Sequence, residues 1–290
     1  MDWVSCFGVR LTDPIGRHGE SWREWILENI DRGCAPRDML LRMVSDGVWT
    51  ESDAQAALDQ GLEQKGRAVP PVQLLPMLPP DRYISVDGHV VEVFGRSRAP
   101  YAAMLGQVLS EHECDALLDY AFSRGLKQSG VVDHQSGDSV QHRERTSTGV
   151  FFTRAETPLI AAIEERLSTL THWPITHAEG LQVLHYQIGQ EYKPHNDWFD
   201  TRHQGSALHL ARGGQRVATT VMYLLAPEQG GATTFPQAGL EFSPPRGGAV
   251  FFRNLTVNGQ PDPLTLHAGA PVERGRKVVM TYWQREQEFR

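Results

Sequence analysis

From residue 181 onward, the chain is a succession of short apolar segments separated by glycine and proline. The predicted strands cover residues 181–187, 216–225, 248–253, 263–268 and 277–284. Several strands at this spacing, with such punctuation between them, predict a β-sandwich or a β-barrel. Any site in this part of the chain should therefore be built on strands and on the turns that join them.

The first of these segments, LQVLHYQIGQEYKPHNDWFD, leads into His195 and Asp197. In an extended strand, residues two positions apart face the same side. An imidazole and a carboxylate on one face supply two of the three ligands in the 2-His-1-carboxylate site of non-haem Fe(II) oxygenases. The chain has 12 histidines, so about one His-x-Asp pair is expected by chance in a chain of average composition. The motif alone therefore favours an ordinary polar strand end over a metal site.

Residues 1–69 are predicted to form a small helical region. Helices are expected to begin at a capping box over residues 21–24, at Pro36 and at Thr50, and to end near Gly33, Gly47 and Gly61. Three short helices can barely bury a core alone, so we expect them to pack against the rest of the chain or to bind a partner. A structural appendage and a substrate or partner adaptor both remain open. Its tryptophans are predicted core residues: Trp22, Trp25 and Trp49.

The segment PPVQLLPMLPP, residues 70–80, predicts an extended linker, because a stretch so rich in proline cannot be helical. Residues 81–290 then form the second predicted domain. It opens with a hairpin turn at Asp87-Gly88 and contains two helices, one starting at the capping box Ser110–Glu113 and the other at Thr157-Pro158. The polar residues 128–144 between these helices are predicted to form a loop over the site.

Composition and charge exclude several classes of protein. Hydrophobic residues at 40% and charged residues at 22% are typical of a soluble globular protein. The net charge is −7 and no Lys/Arg block occurs, so nothing indicates nucleic-acid binding. The 3 cysteines lack a CxxC motif and are expected to be reduced thiols. No apolar run approaches the roughly 20 residues of a membrane span, and no secretion signal is evident. We therefore expect a cytoplasmic protein, with its oligomeric state undetermined.

Downstream, His267 lies in LTLHAGAPV and Lys277 follows ten residues later. The order His-x-Asp, then His, then Lys closely resembles the prolyl 4-hydroxylase family of Fe(II)/2-oxoglutarate-dependent dioxygenases. The surrounding segments match that family as well: RTSTGVFF, GGQRVATTVMYLL, GGATTFP, PPRGGAVFF and QREQEFR. The resemblance covers roughly residues 83–290. It implies an α+β fold with a mainly β core, a double-stranded β-helix (jelly roll) with buttressing helices, preceded by the small helical region.

The resemblance also implies the roles of individual residues. The iron ligands would be His195, Asp197 and His267. Lys277 would pair with the distal carboxylate of 2-oxoglutarate, which Tyr186 and Thr233 would hydrogen-bond. On the substrate side, Tyr192 and Trp283 would form an apolar wall for a proline ring, and Arg216 would fix a backbone carbonyl. Each role has a plain alternative. Lys277 could reach water from the end of its strand, Tyr192 and Trp283 could be packed aromatic residues, and Arg216 could be a surface charge.

The function that the resemblance implies is hydroxylation of a C–H bond, with a prolyl residue of a peptide or protein as the favoured substrate. Fe(II) is the implied metal, and O2 and 2-oxoglutarate are the cosubstrates, giving succinate and CO2. Ascorbate is the expected reductant. The chain departs from the family at Val278, where tryptophan is usual, and at Asn196, where an aromatic residue is common. A free amino acid or a biosynthetic peptide therefore remains an alternative substrate. An inactive jelly roll that binds a partner or senses oxygen is the alternative of another class.

Overall fold

The structure, a computed structural model, describes residues 13–45, 47–67, 75–128, 130–132, 139–141, 146–257 and 259–290. The chain divides into two units, Met1–Leu74 and Leu75–Arg290. The predicted linker spans this division. Its residues 70–74 lie outside the described part of the chain, whereas Leu75 and Leu78 are buried in the larger unit. Arg253 fixes this segment further, because its Nε donates a hydrogen bond of 2.8 Å to the carbonyl of Pro76.

The smaller unit contains three helices: α1 (Glu20–Asp31), α2 (Pro36–Ser45) and α3 (Glu51–Gln64). They enclose a core of their own, formed by Ile15, Ile26, Ile30, Met39, Leu40, Met43, Trp49, Ala54, Ala57, Leu58 and Leu62. Trp22 and Trp25 pack against this core and are partly buried. The starts of α2 and α3 are as predicted, and Thr50 caps α3 by accepting a hydrogen bond from the backbone N–H of Asp53.

Two predictions in this unit were wrong. Helix α1 begins at Glu20 after Gly19, which has a φ of 98° and provides no side-chain cap, so the predicted capping box at residues 21–24 does not form. Helix α3 continues through Gly61 to Gln64. A side chain at Gly61 would lie 2.9 Å from Ile30 Cδ1 and 3.0 Å from Ile26 Cγ2. This glycine is therefore required for close packing of α1 on α3 and does not end the helix.

The described residues of the larger unit form three α-helices and seventeen strands. The helices are α4 (Glu111–Ser123), α5 (Pro158–Thr171) and α6 (Gln204–Leu210). The strands are β1 (Tyr83–Val86), β2 (His89–Arg98), β3 (Tyr101–Gly106), β4 (Lys127–Gln128), β5 (Gly130–Val132), β6 (Ser139–Gln141), β7 (Thr148–Phe151), β8 (Gln182–Tyr186), β9 (Tyr192–His195), β10 (Arg216–Leu225), β11 (Gln229–Gly230), β12 (Thr233–Phe235), β13 (Leu240–Phe242), β14 (Ala249–Arg253), β15 (His267–Gly269), β16 (Val272–Arg274) and β17 (Lys277–Arg285).

Nine of these strands form the major sheet, in the order β1-β2-β3-β14-β10-β17-β8-β7-β4. A four-stranded sheet, in the order β13-β12-β15-β9, contributes aromatic and aliphatic side chains to the same interior layer. All pairings in both sheets are antiparallel. Helices α4 and α5 cover the other face of the major sheet. This arrangement confirms the predicted mainly β fold with buttressing helices.

The central strands of the major sheet are buried on both faces. Because successive side chains in a strand point to opposite sides, Val278, Met280 and Tyr282 of β17 pack toward the helices, whereas Lys277 and Val279 face the interior between the sheets. Strand β8 is likewise buried nearly throughout. Because both faces of β8 are covered, apolar and polar residues alternate only imperfectly in its sequence. The interior face, one side of β8, β10 and β17, carries the candidate site.

Of three local predictions in the larger unit, two are confirmed and one was partly wrong. The capping box at the start of α4 is confirmed: Ser110 Oγ accepts from the N–H of Glu113, and the carboxylate of Glu113 accepts from the N–H of Ser110. The hairpin turn at Asp87-Gly88 is confirmed between β1 and β2. The strand predicted over residues 263–268 was wrong in its first half. Residues Pro263–Thr265 form a 3-10 turn capped by Asp262, and the strand begins at His267.

The loop predicted to cover the site, residues 128–144, contains the paired strands β5 and β6. The rest of that loop beyond Gln128, with His134 and His142, lies outside the described residues. Cys34 is an exposed free thiol and Cys114 a buried one. Within the described ranges, no helix combines the length and the apolar character that crossing a membrane requires.

Candidate active site

Three potential metal ligands meet where the four-stranded sheet, which contains β9 and β15, faces β10 and β17. His195 ends β9, and His267 begins β15 directly opposite it. Asp197 Oδ1 lies 3.9 Å from His195 Nε2, and its Oδ2 lies 3.7 Å from His267 Nε2. One ligand atom of each residue lies within 4.8 Å of the others, and no other group of this kind occurs among the residues that the structure describes. The sequence motif thus brings its ligands together, although Asp197 lies beyond the end of β9 rather than on it.

Backbone carbonyls orient both imidazole rings. His195 Nδ1 lies 2.9 Å from the carbonyl of Lys193, and His267 Nδ1 lies 2.9 Å from the carbonyl of Thr265. A carbonyl oxygen can only accept, so each Nδ1 carries the proton. The Nε2 lone pairs then point toward the carboxylate of Asp197, as metal-binding histidines require.

The carboxylate of Asp197 is buried and ionised. Its Oδ2 accepts a hydrogen bond of 2.7 Å from Thr219 Oγ1. Burial alone would raise the pKa of Asp197, but the electrostatic effect of the two histidines and of Arg216, with the hydrogen bond from Thr219, outweighs burial and lowers the pKa to about 2. Two neutral imidazoles and one carboxylate form a nitrogen and oxygen donor set suited to Fe(II).

Lys277 lies at the other end of the same pocket and is only 3% exposed. Its Nζ is near the rings of Tyr223, at 4.9 Å, and Tyr186, at 5.5 Å. No described residue provides it with a hydrogen bond or an anionic partner. Burial therefore lowers the pKa of Lys277 to about 7. Because an isolated ammonium is costly to bury, this lysine requires an anion that none of the described residues supplies.

Three hydroxyl-bearing residues, Tyr186, Tyr223 and Thr233, lie at the Lys277 end of the pocket. Tyr186 is paired with Lys277 in the ladder between β8 and β17. Thr233 Oγ1 lies 2.9 Å from the hydroxyl of Tyr223, which also donates to the carbonyl of Gly231. Burial raises the pKa of Tyr223, so it remains a neutral donor. A carboxylate at this end of the pocket would meet one positive charge and the hydroxyl-bearing side chains of Tyr186 and Thr233.

The pocket that joins the two ends has a volume of about 440 Å³, including its open mouth. Its middle is apolar, with side chains from the interior faces of three strands. The lining residues are Leu184, Tyr186, Tyr192, His195, Asp197, Val221, Thr233, His267, Ala268, Gly269, Lys277, Val279, Thr281 and Trp283.

Arg216, predicted to contact the substrate, is part of a buried ion cluster. Its Nε and Nη2 donate to the two carboxylate oxygens of Glu179 at 2.6 and 2.9 Å, and Arg285 donates to the same carboxylate at 2.9 Å. The two arginines outweigh the effect of burial and lower the pKa of Glu179. Arg216 Nη1 also lies 3.9 Å from Asp197 Oδ1. Arg216 therefore borders the ligand cluster, and two nitrogens of its guanidinium, Nε and Nη2, are already bound to Glu179.

The two predicted aromatic wall residues both pack beside residues of the site. Tyr192 stacks on His195, with ring centroids 3.6 Å apart. The guanidinium of Arg216 lies 4.1 Å from the ring centroid of Trp283. Both aromatic residues line the pocket, so a ring entering from the open side would meet apolar faces next to the ligands.

Sequence reasoning missed several residues of this site: Glu179, Thr219, Tyr223, Asn254 and Arg285. Strand alternation could have found two of them. Thr219 and Tyr223 share a face of β10 with Val221, which lines the pocket. Nothing local in the sequence indicates Glu179 or Asn254, because each approaches the site from outside a strand and only through long-range pairing.

A jelly roll that brings two histidines and an aspartate to one end of a pocket and an unpaired, buried lysine to the other defines an Fe(II)/2-oxoglutarate-dependent dioxygenase. His195, Asp197 and His267 fit the metal, and Lys277 fits a permanent dicarboxylate. The presence of all four residues argues against the inactive binding module.

Comparison with known proteins gives the same class. The family model described as "2OG-Fe(II) oxygenase superfamily" matches residues 181–285. Probable prolyl 4-hydroxylase 10 of Arabidopsis thaliana is 38% identical over 210 residues, which are 66% of this chain and 71% of that protein. Prolyl 4-hydroxylase 5 of the same plant is 36% identical over 210 residues, 66% of this chain and 70% of that protein. The chain therefore belongs to the prolyl 4-hydroxylase-like 2OG-Fe(II) oxygenases, as the sequence predicted.

Among solved structures, the viral collagen prolyl hydroxylase from Paramecium Bursaria Chlorella virus-1, in complex with 2OG, is 28% identical. The match covers 65% of this chain and 98% of that chain, with a TM-score of 0.49.

Proposed function

We propose that this protein hydroxylates a prolyl residue in a peptide or protein, consuming O2 and 2-oxoglutarate and releasing succinate and CO2. The observation that carries the proposal is the pocket with the His195–Asp197–His267 cluster at one end and unpaired Lys277 at the other. The names of the plant relatives support a prolyl substrate.

In this proposal the chain binds and orients the reactants, and bound iron would supply the oxygen-activating chemistry. His195, Asp197 and His267 would hold the metal. Lys277 would neutralise the distal carboxylate of 2-oxoglutarate, with Tyr186 and Thr233 as hydrogen-bond donors. The apolar side chains in the middle of the pocket would exclude water from the aliphatic part of the cosubstrate.

The substrate side is formed by Tyr192 and Trp283, with Arg216 beside them. Because Glu179 occupies two nitrogens of the Arg216 guanidinium, only Nη1 would remain for a substrate carbonyl. Glu179 also fixes the plane of the guanidinium, and this orientation supports a role in positioning peptide backbone. Ascorbate is proposed as the reductant that keeps the iron ferrous, and the cytoplasm as the location of the protein.

The experiment that tests this function measures succinate released from 2-oxoglutarate by the Fe(II)-loaded protein, with and without proline-containing peptides. Peptide-stimulated succinate, together with the mass gain of one oxygen atom on the peptide, is the expected result. The control peptide has alanine in place of each proline. Stimulation by a free amino acid, and by no peptide, would replace the peptide substrate with the small-molecule alternative. Absence of turnover in the folded, metal-loaded protein would contradict the proposal.

The affinity for 2-oxoglutarate should fall as the pH rises above about 7. The pKa of Lys277 is lowered to about 7, so the free enzyme loses the ammonium that the dicarboxylate needs, and the apparent Kd should rise by about tenfold per pH unit above this value. Isothermal titration of the metal-loaded protein between pH 6 and 9 measures the effect. Lys277→Arg, which remains charged throughout this range, is the control and should show a nearly flat profile. Equal profiles in the two proteins would contradict the prediction.

A further inference from the structure

The carboxylate of Asp197 is connected to a chain of hydrogen bonds that leads away from the pocket. Thr219 Oγ1 donates to Asp197 Oδ2 at 2.7 Å, and Asn254 Nδ2 donates to Thr219 Oγ1 at 3.0 Å. Thr219 and Asn254 are both fully buried. Neither side chain can reach a bound metal or cosubstrate directly. Each can therefore act on the site only through Asp197.

The direction of the chain follows from the chemistry of its members. The amide nitrogen of Asn254 can only donate, so Thr219 accepts with its oxygen and has its own proton free for the carboxylate. An ionised carboxylate can only accept. Asn254 therefore fixes the rotation of the Thr219 hydroxyl, and the hydroxyl fixes one oxygen of Asp197.

The two partners are themselves firmly held by the fold. Thr219 lies within β10, paired with Phe252 on one side and Trp283 on the other. Asn254 follows β14 directly, and its N–H donates to the carbonyl of Val217 at 2.9 Å. We call the chain of hydrogen bonds from Asn254 through Thr219 to Asp197 the relay. It is held in place by β10 and β14, two central strands of the major sheet.

Asp197 needs such an anchor more than the two histidines do. His195 and His267 lie on facing strands and bond to backbone carbonyls, whereas Asp197 lies past the end of β9. Its carboxylate also has a competing neighbour, because Arg216 Nη1 lies 3.9 Å from its Oδ1. A carboxylate released by Thr219 could turn to this guanidinium and form an ion pair at the expense of metal binding.

We propose that Thr219 and Asn254 are positioning residues that hold the Asp197 carboxylate toward the two histidines and so set the affinity of the site for its metal. The inference rests on the proposed metal site of the dioxygenase. It predicts an effect on metal binding itself, which can be measured without turnover.

The test is a titration of the metal-free protein with Co(II), a spectroscopic substitute for Fe(II), followed by visible absorption. Thr219→Val preserves the shape of the side chain and removes the hydroxyl. Its Kd for Co(II) is expected to rise by about 10–100-fold, the usual effect of losing the partner of a metal ligand, with a changed cobalt spectrum. Thr219→Ser restores a hydroxyl and should recover most of the affinity.

The matched control is Thr220→Val. Thr220 is the next residue of β10, is equally buried, and its hydroxyl has no hydrogen-bond partner among the described residues. The same chemical change there should leave the Kd for Co(II) unchanged. Circular dichroism compares the folding of the two variants.

Asn254→Leu tests the outer member of the relay. It should weaken Co(II) binding less than Thr219→Val does, and the double variant should bind no more weakly than Thr219→Val alone, because the two residues act through one hydrogen bond. If Thr219→Val does not fold, Asn254→Leu and Thr219→Ser carry the test.

A Kd for Thr219→Val within about twofold of wild type would overturn the relay, provided that wild type binds Co(II) and Asp197→Ala does not. If wild type itself does not bind Co(II), or if Asp197→Ala binds equally well, the proposed metal site is wrong and the relay fails with it.

Discussion

Asp197→Ala is expected to abolish the turnover of 2-oxoglutarate. This change removes the one carboxylate of the ligand cluster, and no other carboxylate among the described residues lies close enough to replace it. The loss should exceed the roughly 10–100-fold effect of removing a partner of a metal ligand. The measurement is succinate release at saturating Fe(II), together with the Co(II) titration, in which binding should also be lost.

Asp200→Ala is the matched control for this prediction. Asp200 is three residues downstream and forms its ion pair with the exposed Arg202, away from the ligand cluster. Because the contribution of an exposed pair is small, this variant should keep its turnover and its affinity for Co(II). Full turnover in Asp197→Ala would refute the assignment of the cluster as the metal site.

Asp197→Ala should remain folded. The wild-type carboxylate is buried and accepts a hydrogen bond from Thr219, so its loss leaves the hydroxyl of Thr219 without its acceptor. An unsatisfied buried donor costs about 1–3 kcal/mol. A modest decrease in the free energy of unfolding, with unchanged circular dichroism, is therefore expected, and it separates loss of the metal from loss of the fold.

The sequence alone predicts those parts of the site that depend on local spacing. Lys277, Val279, Thr281 and Trp283 alternate along one strand, so the period of two already assigns them to a common face. The His-x-Asp spacing keeps His195 and Asp197 close together, although Asp197 lies beyond the end of β9. The resemblance to a known family then connects His267 with the other ligands. The structure brings these side chains into one pocket as expected.

The remaining residues depend on strand pairing, which the sequence does not contain. Thr219 and Thr220 are adjacent and chemically identical, yet one donates to Asp197 and the other has no partner among the described residues. Strand alternation assigns them to opposite faces of β10, and the pairing of β10 with β14 and β17 determines which of these faces is the interior one. Glu179 joins Arg216 and Arg285 for the same reason, because those arginines are paired across β10 and β17.

Two predictions at a glycine and at a proline were wrong. Gly61 was expected to end a helix, but it lies inside α3 where two isoleucines approach closely. Pro263 was expected within a strand, but it begins a 3-10 turn that precedes His267. In both cases the contacts made by neighbouring elements decide the local conformation, and such contacts are absent from the pattern of one segment.

Lys277→Met is expected to raise the KM for 2-oxoglutarate by about a hundredfold, because a charge-assisted hydrogen bond contributes roughly 1.5–3 kcal/mol and here it would lie in a buried pocket. Methionine keeps the apolar stem and removes the charge. The initial rate of succinate release as a function of 2-oxoglutarate concentration measures the effect. Lys127→Met, at an exposed position on β4, is the control. An unchanged KM in Lys277→Met would refute the role of this lysine as the anchor.

The same substitution should make the ligand-free protein more stable, which is the opposite of its effect on binding. The pKa of Lys277 is lowered from 10.5 to about 7 in the folded chain, so below pH 7 the protein must bury an ammonium that the unfolded chain exposes to water. This cost decreases as the pH rises from 7 to 10.5, since the unfolded state then binds more protons than the folded one. Denaturant unfolding of the ligand-free protein at pH 7 should therefore give a larger free energy of unfolding for Lys277→Met than for wild type, by an amount of the order of a few kcal/mol, and the difference should shrink toward pH 9. A variant that is less stable than wild type would show that the ammonium has a partner inside the folded protein. A gain in stability together with the loss of affinity would show that the chain keeps an unfavourable buried charge for its ligand.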